Sequence, residues 1–224
     1  MSAQDLAALI SDLPGELRQQ ALTHSSWTAE RVDSYERLAY LGDSVLALAI
    51  AAEIHERFPE LDAGGLTRVH NYAVSGESCA VVGDELGIPA MLEQADPEIE
   101  EAIPAEILLG GSRPLPEVAE ALIGACFLAF GFDRTAAAVG AAFEERIEEA
   151  SEAPVDAKSA LQELLARRRA SVSYAVIAES GPAHERTFEV EATVDSERVG
   201  TGAGRSKKAA EQMAAEEALQ SLEG

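Results

Sequence analysis

A glycine placed inside an apolar helical pattern, beside an acid, constrains this chain more than any other feature. The run Glu36-Arg37-Leu38-Ala39-Tyr40-Leu41-Gly42-Asp43-Ser44-Val45-Leu46 reads as helix. Gly42 in its middle costs about 1 kcal/mol relative to alanine. A helix that gives up stability next to a carboxylate has a reason to do so. Glu36 and Asp43 are seven residues apart, about two turns at roughly 100° per residue, so both leave the same face. Leu38, Leu41, Val45 and Leu46 lie away from it.

A second pair of acids opens another helical segment, Glu117-Val118-Ala119-Glu120-Ala121-Leu122-Ile123-Gly124. Pro116 is a good first-turn residue, which puts Glu117 and Glu120 one turn apart on one face. Glutamates also complement the dipole of a helix N-terminus, so the pair alone has two readings. Clustered carboxylates suit phosphodiester hydrolysis, which needs a deprotonated water and charge neutralised on the scissile phosphate. A hard divalent cation on oxygen ligands supplies both.

The 224 residues suffice for one or two domains with a sizeable core. No stretch reaches the roughly 18 uninterrupted apolar residues of a membrane span, and no membrane association is expected. Cys79 and Cys126 lie in apolar stretches without metal-ligand spacing, as expected of buried thiols in a reducing, cytoplasmic compartment. The net charge of −23 opposes nucleic-acid binding in bulk, but it is unevenly spread. Residues 1–150 hold eight arginines, no lysine and 27 acids, a net −19. Residues 151–224 hold nine basic and 13 acidic residues, a net −4, and include all three lysines.

Apolar residues recur at three and four along 5–10, 16–23, 35–57, 66–87 and 117–148, with prolines punctuating between them. Residues 151–157 read as a linker. Beyond it the period changes: 158–168 reads as helix, 172–178, 186–194 and 197–202 as strands, and 206–222 as an alanine-rich helix. Turns are expected at Gly181-Pro182 and Asp195-Ser196.

The run from Glu36 to Leu46 closely resembles the signature of the ribonuclease III family, and Glu120 to Leu128 resembles that family's second block. Ala21 to Ser26, Arg57-Phe58-Pro59, Gly64 to Thr67 and Ser75 to Leu86 extend the resemblance. It implies an all-α endonuclease domain over residues 1–150, with Asp43 and Glu120 catalytic and Glu36, Asp43, Glu117 and Glu120 as Mg²⁺ ligands. Three departures stand out: Ala39 replaces a usual metal-binding glutamate, Glu117 lengthens a usual aspartate, and Ala63 replaces a further acid, with Asp62 adjacent. His24 is expected to be a hydrogen-bonded structural residue.

Residues 158–224 resemble an α-β-β-β-α double-stranded RNA-binding domain. Lys207 and Lys208 follow the glycine-rich run from Gly200 to Gly204 and begin a helix, so the ammonium groups and the helix N-terminus together favour phosphate. The resemblance adds Gln162, Glu163 and His184 as minor-groove contacts. The stretch from Gly200 to Lys208 lacks the Gly-Lys-Ser/Thr sequence and the βαβ context of a nucleotide loop, so no nucleotide cofactor is expected. The implied protein is a homodimeric endoribonuclease III that hydrolyses double-stranded RNA, leaves 5′-phosphate and 3′-hydroxyl ends, and serves rRNA or mRNA processing. The alternative, favoured by Ala39, is a double-stranded RNA-binding protein with an impaired nuclease centre.

Overall fold

The computed structural model describes residues 4–97, 99, 102–152, 157–182 and 186–223. Contacts divide the chain into two compact units, Met1–Glu152 and Ala153–Gly224. The first is helical: α1 (Gln4–Ser11), α2 (Gly15–Leu22), α3 (Glu36–Arg57), α4 (Ala63–Ala73), α5 (Gly76–Glu85), α6 (Ile88–Ala95), α7 (Ala105–Leu109), α8 (Pro114–Phe130), α9 (Phe132–Ala142) and α10 (Glu144–Glu152). Two 3₁₀ turns, Ser25–Trp27 and Arg31–Asp33, join α2 to α3.

Its centre is the packing of α3 on α8. Leu46 and Ile50 of α3 and Leu122 and Ile123 of α8 are among the largest fully buried side chains. Gly42 and Gly124 explain how closely the two helices approach. A Cβ on Gly42 would fall 1.8 Å from the carbonyl oxygen of Glu120, and one on Gly124 would fall 2.3 Å from that of Leu38. Backbone therefore meets backbone, and any side chain at either position has to drive the helices apart. By length and composition α3 is the one described helix that could cross a membrane. Here it is the core helix, contacting α8, α9 and α4.

Three sequence expectations are refined by local chemistry. The stretch 66–87 is two helices, because the Ser75 side chain accepts the backbone N–H of Ser78 and starts α5 afresh. The stretch 117–148 is three, interrupted at Gly131, whose φ of 81° ends α8, and again at Phe143. Several of the punctuating prolines open helices: Pro89 lies in the first turn of α6, Pro104 precedes α7, and Pro114 joins Pro116, as expected of the latter, in the first turn of α8. The helical pattern also runs to Glu152, and Ala157 already begins the next helix. Of the linker expected at 151–157, residues 153–156 lie outside the described residues.

The second unit has α11 (Ala157–Arg167), β1 (Val172–Ser180), β2 (Thr187–Val194), β3 (Glu197–Gly204) and α12 (Lys207–Glu223). The strands form an antiparallel sheet in the order β1-β2-β3. Asp195 and Ser196, both at positive φ, make the tight β2–β3 turn. Gly200, Gly202 and Gly204 share one face of β3, since side chains alternate along a strand. A Cβ on Gly202 would fall 2.2 Å from the backbone nitrogen of Ala214, and one on Gly200 would fall 2.3 Å from the Ala214 carbonyl oxygen. The buried Ala210, Ala214 and Ala218 of α12 complete this close fit, with Leu161, Leu165 and Val190 supplying larger core groups.

Gly42→Ala and Gly124→Ala are each expected to lower stability by about 3 kcal/mol, the upper end of the usual overpacking cost, because the obstruction is backbone and cannot rotate away. Chemical denaturation followed by far-UV circular dichroism measures this.

Candidate functional site

The glycine crossing decides where the acids stand. Asp43 follows Gly42 on α3, and the backbone of Glu120 is the surface that Gly42 touches on α8. Glu117 lies one turn earlier on α8. Three carboxylates from two helices thus lie within electrostatic reach of one another. Glu120 is half-buried, and its carboxyl is pushed up to about 7, first by burial and then by the negative charges of Asp43 and Glu117. Asp43 is exposed. The Cys79 thiol, also pushed up to about 12, responds to burial first and then to Glu120 and Asp43. Both cysteines are free and buried.

Glu117 is anchored. Its Oε2 accepts the hydroxyl of Tyr35 at 3.0 Å, and Tyr35 is buried. Burial and then this bond raise the Tyr35 phenol above its usual range. Glu36 is engaged elsewhere: Nε of Arg31 donates to Oε2 at 2.5 Å and Nη2 to Oε1 at 2.8 Å. That hydrogen bond holds the Glu36 carboxyl below its ordinary range. Ala39 is buried in the core one turn after Tyr35. Asp62 caps α4, accepting the N–H of Gly65 at 3.0 Å.

His24 has a structural part. Its Nδ1 accepts the backbone N–H of Ser26 at 3.1 Å, and its ring packs against Trp27 and Tyr35. Burial lowers its pKa, against the opposing influence of Glu36 and Glu117. A neutral, capping imidazole is the result.

The donor set of Asp43, Glu117 and Glu120 consists of hard oxygens, and burial together with the charges of Asp43 and Glu117 disfavours ionisation of Glu120. In that chemistry it fits a divalent ion of the Mg²⁺ class. Among the described residues, however, no three acid, histidine or cysteine side chains converge tightly enough to hold an ion as they stand.

In the second unit, Lys207 and Lys208 are exposed on the first turn of α12. Ser206 caps that helix by accepting the N–H of Ala209 at 3.1 Å. The Lys207 ammonium lies 5.8 Å from the centroid of the Phe188 ring. Lys158 is used internally, pairing with Glu211 at 2.5 Å and lying over Tyr174. Gln162 is exposed on α11. Glu163 belongs to the same helix, and His184 lies outside the described residues. Sequence reasoning missed Tyr35 and Arg31. The available signal was a tyrosine directly ahead of the acidic run, since a buried phenol usually finds a partner.

A family model described as "Ribonuclease-III-like" matches residues 14–147, and one described as "Double-stranded RNA binding motif" matches residues 157–222. The chain is 35% identical to "Ribonuclease 3" of Natranaerobius thermophilus, covering 92% of this chain and 90% of that one. It is 37% identical to "Ribonuclease 3" of Syntrophotalea carbinolica, covering 91% and 89%. Among solved structures, a nuclease domain of ribonuclease III from Campylobacter jejuni matches with a TM-score of 0.50 and 25% identity, covering 64% of this chain and 96% of that one.

For Glu120 the folded carboxyl titrates above its unfolded value of 4.5, at about 7. The unfolded chain therefore releases this proton first, and stability falls as pH rises from 4.5 through 7. Glu120→Gln is expected to remove that part of the decline in the metal-free protein and to raise its melting temperature at pH 8. Thermal melts of both proteins from pH 5 to 8 test this.

Proposed function

The chain belongs to the ribonuclease III family, and from that premise we propose a Mg²⁺-dependent mechanism for its endonuclease activity on double-stranded RNA. The helical unit is the endonuclease domain and the α-β-β-β-α unit the double-stranded RNA-binding domain. The observation that carries the proposal is the grouping of Asp43, Glu117 and Glu120 where α3 and α8 touch, with the charge on Glu120 disfavoured first by burial and then by its acidic neighbours.

A bound divalent cation supplies charge neutralisation at the scissile phosphate and lowers the pKa of a water. Asp43, Glu120 and Glu117, the last anchored on Tyr35, are the residues that would hold it. Lys207 and Lys208 hold duplex phosphates, with α12 presenting its positive end alongside them. The products carry 5′-phosphate and 3′-hydroxyl ends, and the substrates are duplex segments of rRNA and mRNA precursors.

We also infer a cytoplasmic homodimer. The buried free thiols Cys79 and Cys126 suit a reducing compartment. Tyr40 and Leu48 on α3 are 81% and 57% exposed, and they lie two turns apart on one helix face. The Campylobacter jejuni nuclease domain is described as having a region involved in dimer formation.

The second reading is a duplex-binding protein with an impaired centre. It is favoured by the buried, ligandless Ala39 and by the diversion of Glu36 to Arg31. A Mg²⁺ titration with a long labelled RNA duplex separates the two. Asp43→Asn is expected to cut at least about 100-fold more slowly, since loss of a ligand exceeds the 10–100-fold cost of an outer-shell partner. Ala39→Glu is expected to lower the Mg²⁺ required. Duplex binding with no cutting at any Mg²⁺ concentration establishes the second reading. Lys207→Ala and Lys208→Ala should each weaken duplex binding irrespective of sequence, and each should reduce the slope of log affinity against log salt by about one.

A further inference from the structure

Tyr35 links the two helices that carry the acids. It stands immediately before α3, is 3% exposed, and donates its hydroxyl to Glu117 in the first turn of α8. The residue is fixed at several points. Its backbone N–H donates to the Thr23 carbonyl at 2.9 Å, and its own carbonyl accepts the N–H of Ala39 at 2.8 Å. Its ring lies 5.8 Å from that of His24, which is itself held by Ser26. A phenol so constrained has little freedom left to lose. Glu117, by contrast, is a long acid whose rotamer freedom is costly to order unaided.

The other acids give this one unusual weight. Glu36 is committed to Arg31, and Ala39 offers no oxygen. Three carboxylates remain, and Glu117 is the one whose reach is set from the facing helix. We propose that Tyr35 is a positioning residue for the cation centre: its hydroxyl, bonded to Oε2, restrains the Glu117 carboxylate that would serve a divalent cation. This rests on the metal-dependent nuclease reading and adds a device to it. The Tyr35 hydroxyl substitutes for part of the order that a fourth carboxylate would bring. Its ring and backbone anchor the chain entering α3, while only the hydroxyl serves the centre.

The test uses Mn²⁺ alone, titrated by calorimetry into the full-length protein without RNA, so that the readout does not depend on cutting. Wild type, Tyr35→Phe, Glu117→Asp and the double variant are compared, with thermal melts confirming that each is folded. A hydrogen bond to a charged group is worth enough that Tyr35→Phe should weaken Mn²⁺ binding about tenfold. Glu117→Asp stands about one methylene short of the hydroxyl. In that background Tyr35→Phe should therefore make no further difference. Equal Mn²⁺ affinity for wild type and Tyr35→Phe overturns the proposal and leaves the nuclease reading intact. So does an equal loss from Tyr35→Phe in both backgrounds, because the effect then passes through the fold and not through Glu117. A flat titration for wild type removes the metal-dependent reading and this proposal together.

Discussion

Backbone contact between α3 and α8 at Gly42 and Gly124 is the constraint on which the rest of the nuclease unit depends. Two helices meeting through ordinary side chains keep their axes about 8–10 Å apart. Where glycines face backbone atoms the approach is closer, and residues beside the glycines are carried inward with them. Asp43 and Glu120 are those residues. Burial and, after it, the negative charge of Asp43 both disfavour ionisation of Glu120 there. The apolar packing of Leu46, Ile50, Leu122 and Ile123 offsets that repulsion by holding the crossing shut. Stability is thus spent at the acids and recovered in the core directly behind them, and a metal-dependent site gains from that arrangement.

The RNA-binding unit uses the same physical device for a different end. Gly200, Gly202 and Gly204 form a flat strip of β3 on which the alanine face of α12 rests, backbone close to backbone. The fit fixes where α12 begins and therefore where Lys207 and Lys208 stand. Their position matters more than their number. A chain of net charge −23 repels a polyanion at long range, but such repulsion is screened over about 10 Å in salt. At short range two lysines at a capped helix N-terminus present concentrated positive potential. Lys158, held by Glu211 and Tyr174, contributes to the fold of the unit.

Hydrogen-bonding commitments sort the remaining polar residues between scaffold and site. His24 and Asp62 could pass for functional groups, yet each is occupied in capping a helix or turn. Glu36 matches the expected acid pattern and is held in a bidentate pair by Arg31. Tyr35, which the acidic pattern did not single out, reaches across to Glu117. A residue's type and spacing state what it is able to do, and its existing partners determine whether it is available.

Much of this was legible in the residues. The change of period near residue 157, the order of strands and helices after it, and the placement of Glu36, Asp43, Glu117 and Glu120 on two helices follow from local pattern, because helix and strand periodicities are properties of the chain itself. Gly42 could be marked as anomalous from its local cost alone. Its purpose could not be found locally, since Gly124 lies 82 residues away in sequence. The breaks at Ser75 and Gly131 were missed because a cap and a left-handed glycine act through single residues that leave the apolar pattern uninterrupted. The sequence by itself determined the change from helical to α-β-β-β-α pattern, most of the secondary structure and the acids available to a cation. Tertiary structure decided which acids stand together, how far Glu120 is kept from ionising, and that Tyr35 rather than a fourth carboxylate steadies Glu117. Those outcomes depend on distances between segments remote in the chain, and only the packing of the folded core sets them.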